Sequence, residues 1–203
     1  GESMVQNTRA DESAAMETDT VDDGDDPVRT TILVVTYRLL EDMGYAAVTT
    51  DDIAAEAKVS KATIYRYWRS KQQLVVDAAR MHFGKVEAPD LGSFAAEIHW
   101  ILEHRVNDYR QPETLRLVGS LVGAATADAQ LQSLFVEWVE QLSRAIRRVI
   151  QRGIARGDVR PDIDIHALET LVAGVIARTV IAQQSFSKAT VHTIVDLITT
   201  AAG

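Results

Sequence analysis

The chain has 203 residues, no cysteine and a net charge of −8, with 46% hydrophobic and 25% charged residues. This length suits one large domain or two small ones, and the absence of cysteine excludes disulfides, thiolate metal sites and thiol nucleophiles. We find neither a signal-peptide pattern nor an apolar run long enough to cross a bilayer, and the sequence therefore predicts a cytoplasmic protein.

Residues 1–27 form an acidic leader with nine acidic residues and one basic residue. Few apolar side chains and a high net charge predict that this leader is disordered. Its first three residues precede Met4 and suggest a cloning remnant. The leader is either a solvated segment or an acidic arm that competes with a polyanion for the segment that follows.

Residues 28–86 are basic, with nine basic and six acidic residues, whereas the rest of the chain beyond them has eleven basic and fourteen acidic residues. A basic segment joined to an acidic one is typical of proteins that bind duplex nucleic acid. The overall negative charge therefore does not exclude a DNA-binding function.

Three short helices are predicted within the basic segment. The first begins at Pro27 and ends at Gly44, because proline favours the start of a helix and glycine its end. The other two lie in residues 49–71, TTDDIAAEAKVSKATIYRYWRSK, with a turn at residues 58–60. Their apolar positions fall where two crossing helices would bury them, so this segment predicts a helix-turn-helix.

Hydroxyl side chains mark the starts of these helices. We expect Thr50 to cap the second helix, Ser60 the third and Ser70 a fourth, because a hydroxyl oxygen can accept from the free N–H groups of a first turn. Trp68 is predicted to lie in the core.

The third helix is predicted to present polar side chains to a phosphate-lined groove. Lys61 and Thr63 can reach base edges or phosphate oxygens, and Lys71 can meet a phosphate at the start of the next helix. At least one of Tyr65 and Tyr67 must face outward on so short a helix. The expected DNA contacts are Thr50, Lys61, Ala62, Thr63, Tyr65, Arg66, Tyr67 and Lys71.

The helix-turn-helix segment has a specific combination of residues. It contains the run Val59-Ser60-Lys61-Ala62-Thr63-Ile64-Tyr65, then Tyr67-Trp68 and Ser70-Lys71, and it is preceded by Val48-Thr49-Thr50 and Ile53-Ala54. This combination resembles the TetR family of bacterial transcription regulators. The resemblance implies a three-helix DNA-binding head, a larger helical body that dimerises and, often, a small-molecule pocket in that body.

Two residues depart from the pattern of that family. Lys58 stands where the family usually has glycine, so we expect a side chain at positive φ at a cost of about 1 kcal/mol. Asp51 places a negative charge beside the expected DNA surface, where many relatives carry a neutral or basic residue. The departure at Asp51 argues against a DNA contact by that residue.

The remainder of the chain predicts an all-α body. The helical pattern covers residues 70–86, 93–108, 112–128, 130–155, 165–183 and 188–201. The fold class is therefore all-α, and the resemblance implies an N-terminal three-helix helix-turn-helix head and a larger helical ligand-binding and dimerisation body. We expect the acidic leader at 1–27, the head at 28–73 and the body at 74–203.

The last two helices are unusually apolar for surface elements. They either pack wholly within the molecule or present a face of small residues to a second copy. The family resemblance favours a four-helix dimer interface, and a two-fold operator needs a dimer. The expected interface residues are Leu171, Gly174, Val175, Arg178, Ile194 and Ile198.

Aromatic and histidine side chains of the body suggest a pocket for an apolar ligand with a polar group. The expected lining residues are His99, Trp100, His104, Leu121, Phe135 and Trp138. The simpler interpretation is that the aromatic residues form core and the histidines lie at the surface. His99 and His104 are five residues apart, which does not match the shared-face spacing of a metal site.

The sequence contains no motif of an enzyme, since a phosphate-binding loop, HExxH, GxSxG and cysteine are all absent. We expect no catalytic residue, no metal and no cofactor. The expected partners are double-stranded DNA with a two-fold operator, a second copy of the chain and a small apolar inducer that releases the repressor. Two alternatives stay open: a regulator without such an inducer, and a helical small-molecule-binding protein with an incidental helix-turn-helix.

Overall fold

The computed structural model describes residues 26–203, and that range contains nine helices and no strand. The helices are α1 (Pro27–Met43), α2 (Thr50–Ala57), α3 (Lys61–Tyr67), α4 (Lys71–Phe83), α5 (Phe94–Asp108), α6 (Pro112–Ala125), α7 (Ala129–Arg156), α8 (Ile165–Ala182) and α9 (Lys188–Ala202). The predicted all-α class is confirmed. Residues 1–25 lie outside the described range. The predictions of a disordered leader and of a cloning remnant at its start concern these residues.

The head consists of α1, α2 and α3 packed on the first turns of α4. Ile32, Ile53 and Ile64 are buried, one from each of the first three helices. Trp68 lies just beyond α3 and is 1% exposed, which confirms its predicted place in the core. Its indole Nε1 donates to Oδ2 of Asp77 at 3.0 Å, so the core of the head continues into α4.

The connecting helix α4 is shorter than the sequence predicted. It ends at Phe83, because Gly84 follows with φ +65°, a backbone conformation that glycine adopts without strain. The division predicted after residue 73 falls inside α4, so the head and the body share this helix.

The body packs α5 and α7 around a buried ion pair. The side chain of Glu97 is fully buried, and its carboxylate lies 2.8 Å from Nη2 of Arg152 and 3.0 Å from Nη1 of Arg156. A buried carboxylate must be paired, and loss of both arginines would leave the charge of Glu97 unpaired in the core. This cluster fixes α5 against the C-terminal half of α7.

Helix α8 is predominantly apolar. Its span Ile165–Ala182 has a mean hydropathy of 1.5, and 33% of it is buried. By length and composition alone this helix could cross a membrane, so the expectation that no such run exists is wrong; Glu169 and Arg178 interrupt the run but leave its mean high. One such helix is a weak indication of a membrane span, because core helices of soluble proteins pass the same test.

Candidate nucleic-acid interface and body cavity

The first turn of α3 is presented to solvent. Oγ of Ser60 accepts from the backbone N–H of Thr63 at 3.0 Å, which confirms Ser60 as the N-cap. Lys61 and Ala62 are exposed, whereas Ile64 is buried in the head. The buried isoleucine fixes the rotation of α3, and the start of the helix therefore faces outward.

The exposed surface continues along α3. Tyr65 is 48% exposed and Arg66 is also exposed, whereas Tyr67 is half-buried. The prediction that at least one of the two tyrosines faces outward is confirmed. Polar and aromatic groups on one exposed surface suit contacts with sugar and phosphate, as well as with base edges.

A tight turn holds α3 against α2. Lys58 ends α2 with φ 56° and ψ 42°, which confirms the positive φ predicted for it. Its backbone N–H donates to the carbonyl oxygens of Ala54 and Ala55. The left-handed conformation strains a side chain, and these hydrogen bonds keep the turn in place.

The start of α2 differs from the prediction by one residue. Thr49, and not Thr50, is the N-cap: its Oγ1 accepts from the N–H of Asp52 at 3.1 Å, and Oδ2 of Asp52 accepts from the N–H of Thr49 at 2.9 Å. The Thr49 hydroxyl also donates to Oδ2 of Asp52 at 2.6 Å, and this bond, followed by the one from the backbone N–H, lowers the pKa of Asp52. Thr50 is the first residue of the helix and is only 8% exposed, so little of its side chain is accessible to DNA. The DNA contact of Thr50 stays a prediction.

Lys61 is paired within the head. Its Nζ lies 3.1 Å from Oδ1 of Asp51, and both side chains are exposed. The hydrogen bond to Asp51 raises the pKa of Lys61. Asp51, which departs from the family pattern, is therefore paired with Lys61, the lysine that we predict to contact DNA.

Tyr67 connects α3 to the start of α1. Its hydroxyl donates to Oδ2 of Asp26, and Nη2 of Arg66 donates to the same tyrosine oxygen at 3.1 Å. Asp26 also caps α1 by accepting from the N–H of Val28 at 2.9 Å. The hydrogen bond from Tyr67 is the largest cause that lowers the pKa of Asp26.

Lys71 starts α4 and is partly buried. Its Nζ donates to the backbone oxygen of Tyr45 at 2.7 Å and lies 4.4 Å from the centre of that tyrosine ring. Burial lowers the pKa of Lys71. An ammonium group has three N–H donors, so the bond to Tyr45 leaves donors for a phosphate.

A cavity of about 520 Å³ lies in the body between α5, α6, α7 and α8, and Gly84 and Val86 of the segment after α4 also border it. Its walls include Val118, Val122, Phe135, Trp138 and Val180. This size and this apolar lining are typical of small-molecule sites. The structure thus brings together Phe135 and Trp138 as the sequence predicted.

The other four predicted lining residues do not border this cavity. Leu121 is 1% exposed and belongs to the core. Trp100 stacks on His104 with ring centres 3.8 Å apart, and His99 borders a separate cleft of about 300 Å³ on the other side of α5. The prediction that these four line the large cavity is wrong: Leu121 on α6 is buried in the core, and α5 presents Arg105 to the cavity instead of the three predicted residues.

Arg105 is the charged residue of α5 that borders the large cavity. Its side chain is 8% exposed, and Nη1 lies 2.8 Å from Oδ2 of Asp108. Nη2 donates to the backbone oxygen of Phe83, the last residue of α4, at 3.2 Å. Arg105 therefore touches both the cavity and the end of the connecting helix.

Helices α8 and α9 leave an apolar face uncovered. Leu171 is 60% exposed, and Gly174 and Arg178 lie on the same side of α8. On α9, Ile194 is partly buried, whereas Ile198 is 7% exposed and packs in the core. The interface prediction is wrong for Ile198, because the helix turns its neighbour Leu197, 68% exposed, outward instead.

The half-buried Val175 packs against the core from the edge of the exposed face, and the guanidinium of Arg178 lies 5.3 Å from the ring centre of Phe186. Gly174 borders the large cavity as well, and a Cβ added to it would meet no atom within 4 Å among the described residues. The exposed face and the mouth of the cavity are therefore adjacent along α8.

Sequence reasoning missed the groups that act through tertiary contacts. Arg105 and Tyr109 border the cavity, and Asp26 and Tyr45 hold predicted DNA-contact residues. The helical period places Arg105 one turn from apolar Ile101, and that spacing was the available signal for a buried arginine. The sequence shows no comparable signal for Tyr45 or Asp26.

Two family models match the chain. The family described as "Bacterial regulatory proteins, tetR family" matches residues 32–84, and "Tetracyclin repressor-like, C-terminal domain" matches residues 88–198. The first match contains the helix-turn-helix and α4, and the second contains most of the cavity lining, all of α8 and most of α9.

Relatives of known sequence are described as helix-turn-helix transcriptional regulators. The chain is 34% identical over 110 residues to the "Uncharacterized HTH-type transcriptional regulator YdeS" of Bacillus subtilis, a match over 53% of this chain and 54% of that protein. It is 52% identical over 52 residues to the "Uncharacterized HTH-type transcriptional regulator Rv1556" of Mycobacterium tuberculosis, over 26% of each. The matched segments thus span about half or less of these relatives.

Solved structures share the whole fold. The TetR family transcription regulator SCO0332 is 26% identical, with a TM-score of 0.70 over 88% of this chain and 100% of that one. FadR from Bacillus subtilis, solved in complex with stearoyl-CoA, is 15% identical, with a TM-score of 0.67 over 86% of this chain and 99% of that one. With both family models matched along the head and the body, the chain belongs to the TetR family of bacterial regulatory proteins.

Proposed function

We propose that the protein is a dimeric transcriptional repressor that binds a two-fold DNA operator and is released by a small apolar ligand. The observation that carries the DNA-binding part is the outward-facing start of α3, with Lys61 and Ala62 exposed on a head fixed by Ile64 and Trp68. A helix presented in this way can enter a major groove. We place the protein in the cytoplasm and expect no enzymatic activity.

The contact residues divide into two roles in this proposal. Lys61 and Thr63 reach base or groove edges, because they lie in the first turn of α3. Tyr67 and Lys71 hold phosphates at the sides of the groove. The bond to the carbonyl of Tyr45 orients Lys71 before DNA arrives, whereas Tyr67 must release Asp26 before its single hydroxyl proton can bind a phosphate.

A dimer is proposed from the uncovered face of α8 and α9. Leu171 and Leu197 are large, apolar and mostly exposed, which favours burial against a second copy. Two helices from each subunit would form a four-helix interface, and a two-fold pair of heads would then meet half-sites about 34–36 Å apart.

The ligand would act on the heads through α4. Gly84 and Val86 border the cavity directly after this helix, and Arg105 binds the carbonyl of its last residue, Phe83. A ligand that fits best when α4 is tilted would hold the heads at a spacing that differs from that of the operator. In FadR the same fold was solved with stearoyl-CoA, which supports an apolar ligand in this body.

A salt-dependent gel shift tests the proposal on DNA from upstream of the protein's own gene. We expect specific binding that weakens steeply with salt, binding to a complete two-fold site that is much tighter than binding to half of it, and release when the ligand is added. Absence of specific binding would contradict the proposal. Specific binding that no cavity ligand alters would favour a regulator without a small-molecule inducer.

A further inference from the structure

The body cavity is open to solvent along the line where α7 packs on α8. Several residues that border it there are exposed, and we call them the cavity mouth: Val139 and Glu140 on α7, and Thr170, Gly174, Ala177 and Ile181 on α8. Val139 and Ile181 are large apolar side chains that remain in water. Small-molecule sites usually bury about 70–90% of the surface of their ligand, and a mouth that is open to solvent leaves part of a ligand uncovered.

The cavity mouth shares residues with the uncovered apolar face of α8. Gly174 belongs to both, and Ile181 follows it by about two helical turns and so lies on the same side of the helix. Leu171 lies about one turn before Gly174 and is mostly exposed. Packed helices have axes about 8–10 Å apart and are about 10–12 Å wide, so a helix seated on Leu171 also covers Gly174. A Cβ added to Gly174 would meet no atom within 4 Å among the described residues, which leaves room for that approach.

The charged groups beside the cavity mouth are paired within the chain. Nη2 of Arg147 lies 3.7 Å from Oε1 of Glu140 and 2.9 Å from Oε2 of Glu169. The guanidinium of Arg178 lies over the ring of Phe186. Because a charge is costly to bury unless it is paired, this pairing lowers the cost of placing a second apolar surface over the mouth.

We propose that a second copy of the chain forms the lid of the cavity, so that the ligand site is complete only in the dimer. In a two-fold dimer each copy presents the same surface, and the apolar face around Leu171 of one copy lies against the cavity mouth of the other. The inference rests on the proposed dimeric, ligand-responsive function and adds that the two properties are coupled. A bound ligand therefore tightens the dimer, and dissociation of the dimer exposes the ligand to water.

A thiol at the cavity mouth can detect this lid without any ligand, because the chain contains no cysteine of its own. Val139→Cys introduces such a thiol, and Leu91→Cys is the matched control: the native side chains are 43% and 45% exposed in the isolated subunit, and Leu91 lies outside α8 and α9. At a concentration where sedimentation shows a dimer, Val139→Cys should react with N-ethylmaleimide about tenfold more slowly than Leu91→Cys, because the reactivity of a thiol follows its exposure.

Dissociation of the dimer should remove this protection. Leu171→Glu, at a residue that does not border the cavity, should bring the rate of Val139→Cys up to that of Leu91→Cys. Dilution of Val139→Cys alone through the dimer–monomer transition should raise the rate in the same way, and this measurement does not depend on how the charged variant folds. Equal rates for Val139→Cys in dimer and monomer would overturn the inference and leave a dimeric, ligand-responsive repressor intact. A chain that sediments as a monomer at every concentration at which it binds its operator would overturn the dimer and the inference together.

The coupling itself can be measured on the wild-type chain with Nile red, a neutral apolar dye whose fluorescence rises in an apolar site. Nile red should bind the dimer more tightly than the monomer and should lower the dissociation constant of the dimer about fivefold or more. Bound Nile red that leaves the dissociation constant of the dimer unchanged would overturn the inference.

Discussion

Nζ of Lys61, at the exposed start of α3, lies 3.1 Å from Oδ1 of Asp51 on α2. The lysine that we expect to reach DNA is therefore held by a carboxylate of its own head. A phosphate or base edge must compete with this carboxylate, and the pair thereby limits the affinity of the head for any duplex.

Asp51→Asn should tighten DNA binding at low salt and steepen the dependence of log affinity on log salt by about one unit, because Lys61 would then bring one more uncompensated positive charge into the groove without losing a partner. Fluorescence anisotropy with labelled duplex measures both quantities. Glu56→Gln is the control, since Glu56 is an exposed acid of the same helix that pairs with Arg38 instead. Unchanged affinity and slope in Asp51→Asn would show that the pair does not oppose DNA.

The proposed split between contacts can be tested with two truncations. Lys71→Ala should weaken binding to all sequences and flatten the salt slope by about one unit, because a phosphate contact carries no sequence information. Thr63→Ala should change the preference among operator variants. Binding of a panel of single-base variants distinguishes the two, and a uniform loss from both substitutions would remove the distinction.

Lys58→Gly should stabilise the protein. Lys58 has φ 56°, and glycine adopts that conformation without the cost of about 1 kcal/mol that a side chain adds. Thermal unfolding should show a rise of about 2–4 °C in Tm. Gln183 also has positive φ, but its side chain donates to the carbonyl of Leu115 at 2.9 Å, so Gln183→Gly should give no such gain.

Tyr67→Phe should make stability less dependent on pH in the acidic range. The hydroxyl of Tyr67 lowers the pKa of Asp26 in the folded protein, so its contribution is present at neutral pH. That contribution is lost progressively as the pH falls from about 4, the pKa of an aspartate in the unfolded chain, through the lower pKa of Asp26 in the folded protein. Denaturation of both proteins between pH 2 and pH 7 should show a deficit in the variant at neutral pH that disappears in acid; a constant deficit would assign it to packing alone.

Leu171→Glu should produce a monomer with near-native helical content, because it would bury an unpaired carboxylate at the proposed two-fold contact. Leu171 is a sharper choice than Gly174, which also borders the cavity. Sedimentation measures the oligomeric state, and Leu91→Glu, at an exposed position outside α8 and α9, should remain a dimer. If Leu171→Glu also remains a dimer, the interface lies elsewhere.

Local sequence signals predicted the head well. The turn at Lys58, the caps at Ser60 and Ser70 and the buried Trp68 all depend on neighbours within a few residues, and the structure confirms them. The N-cap of α2 was predicted at Thr50 but lies at Thr49, and both residues carry the same hydroxyl group. Local chemistry cannot decide between such equivalent caps.

The cavity and the apolar face depend on how distant helices assemble. His99 and Arg105 lie on the same helix, and the arrangement of α7 and α8 decides that Arg105 borders the cavity. Likewise, a small rotation of α9 decides whether Leu197 or Ile198 faces solvent. Helical periodicity predicts that a helix has an apolar face, but it does not predict which neighbouring helix that face packs against.

The central claim is that occupation of the cavity and binding of DNA oppose each other through α4. The most direct test uses an apolar compound that calorimetry on the full chain shows to bind the cavity: it measures the affinity for this compound with and without a saturating two-fold operator, and the affinity for that operator with and without the compound. We predict that each partner weakens the other by the same factor, about 5–150-fold, as thermodynamic linkage requires. Independent binding of the two, or mutual strengthening, would contradict the account.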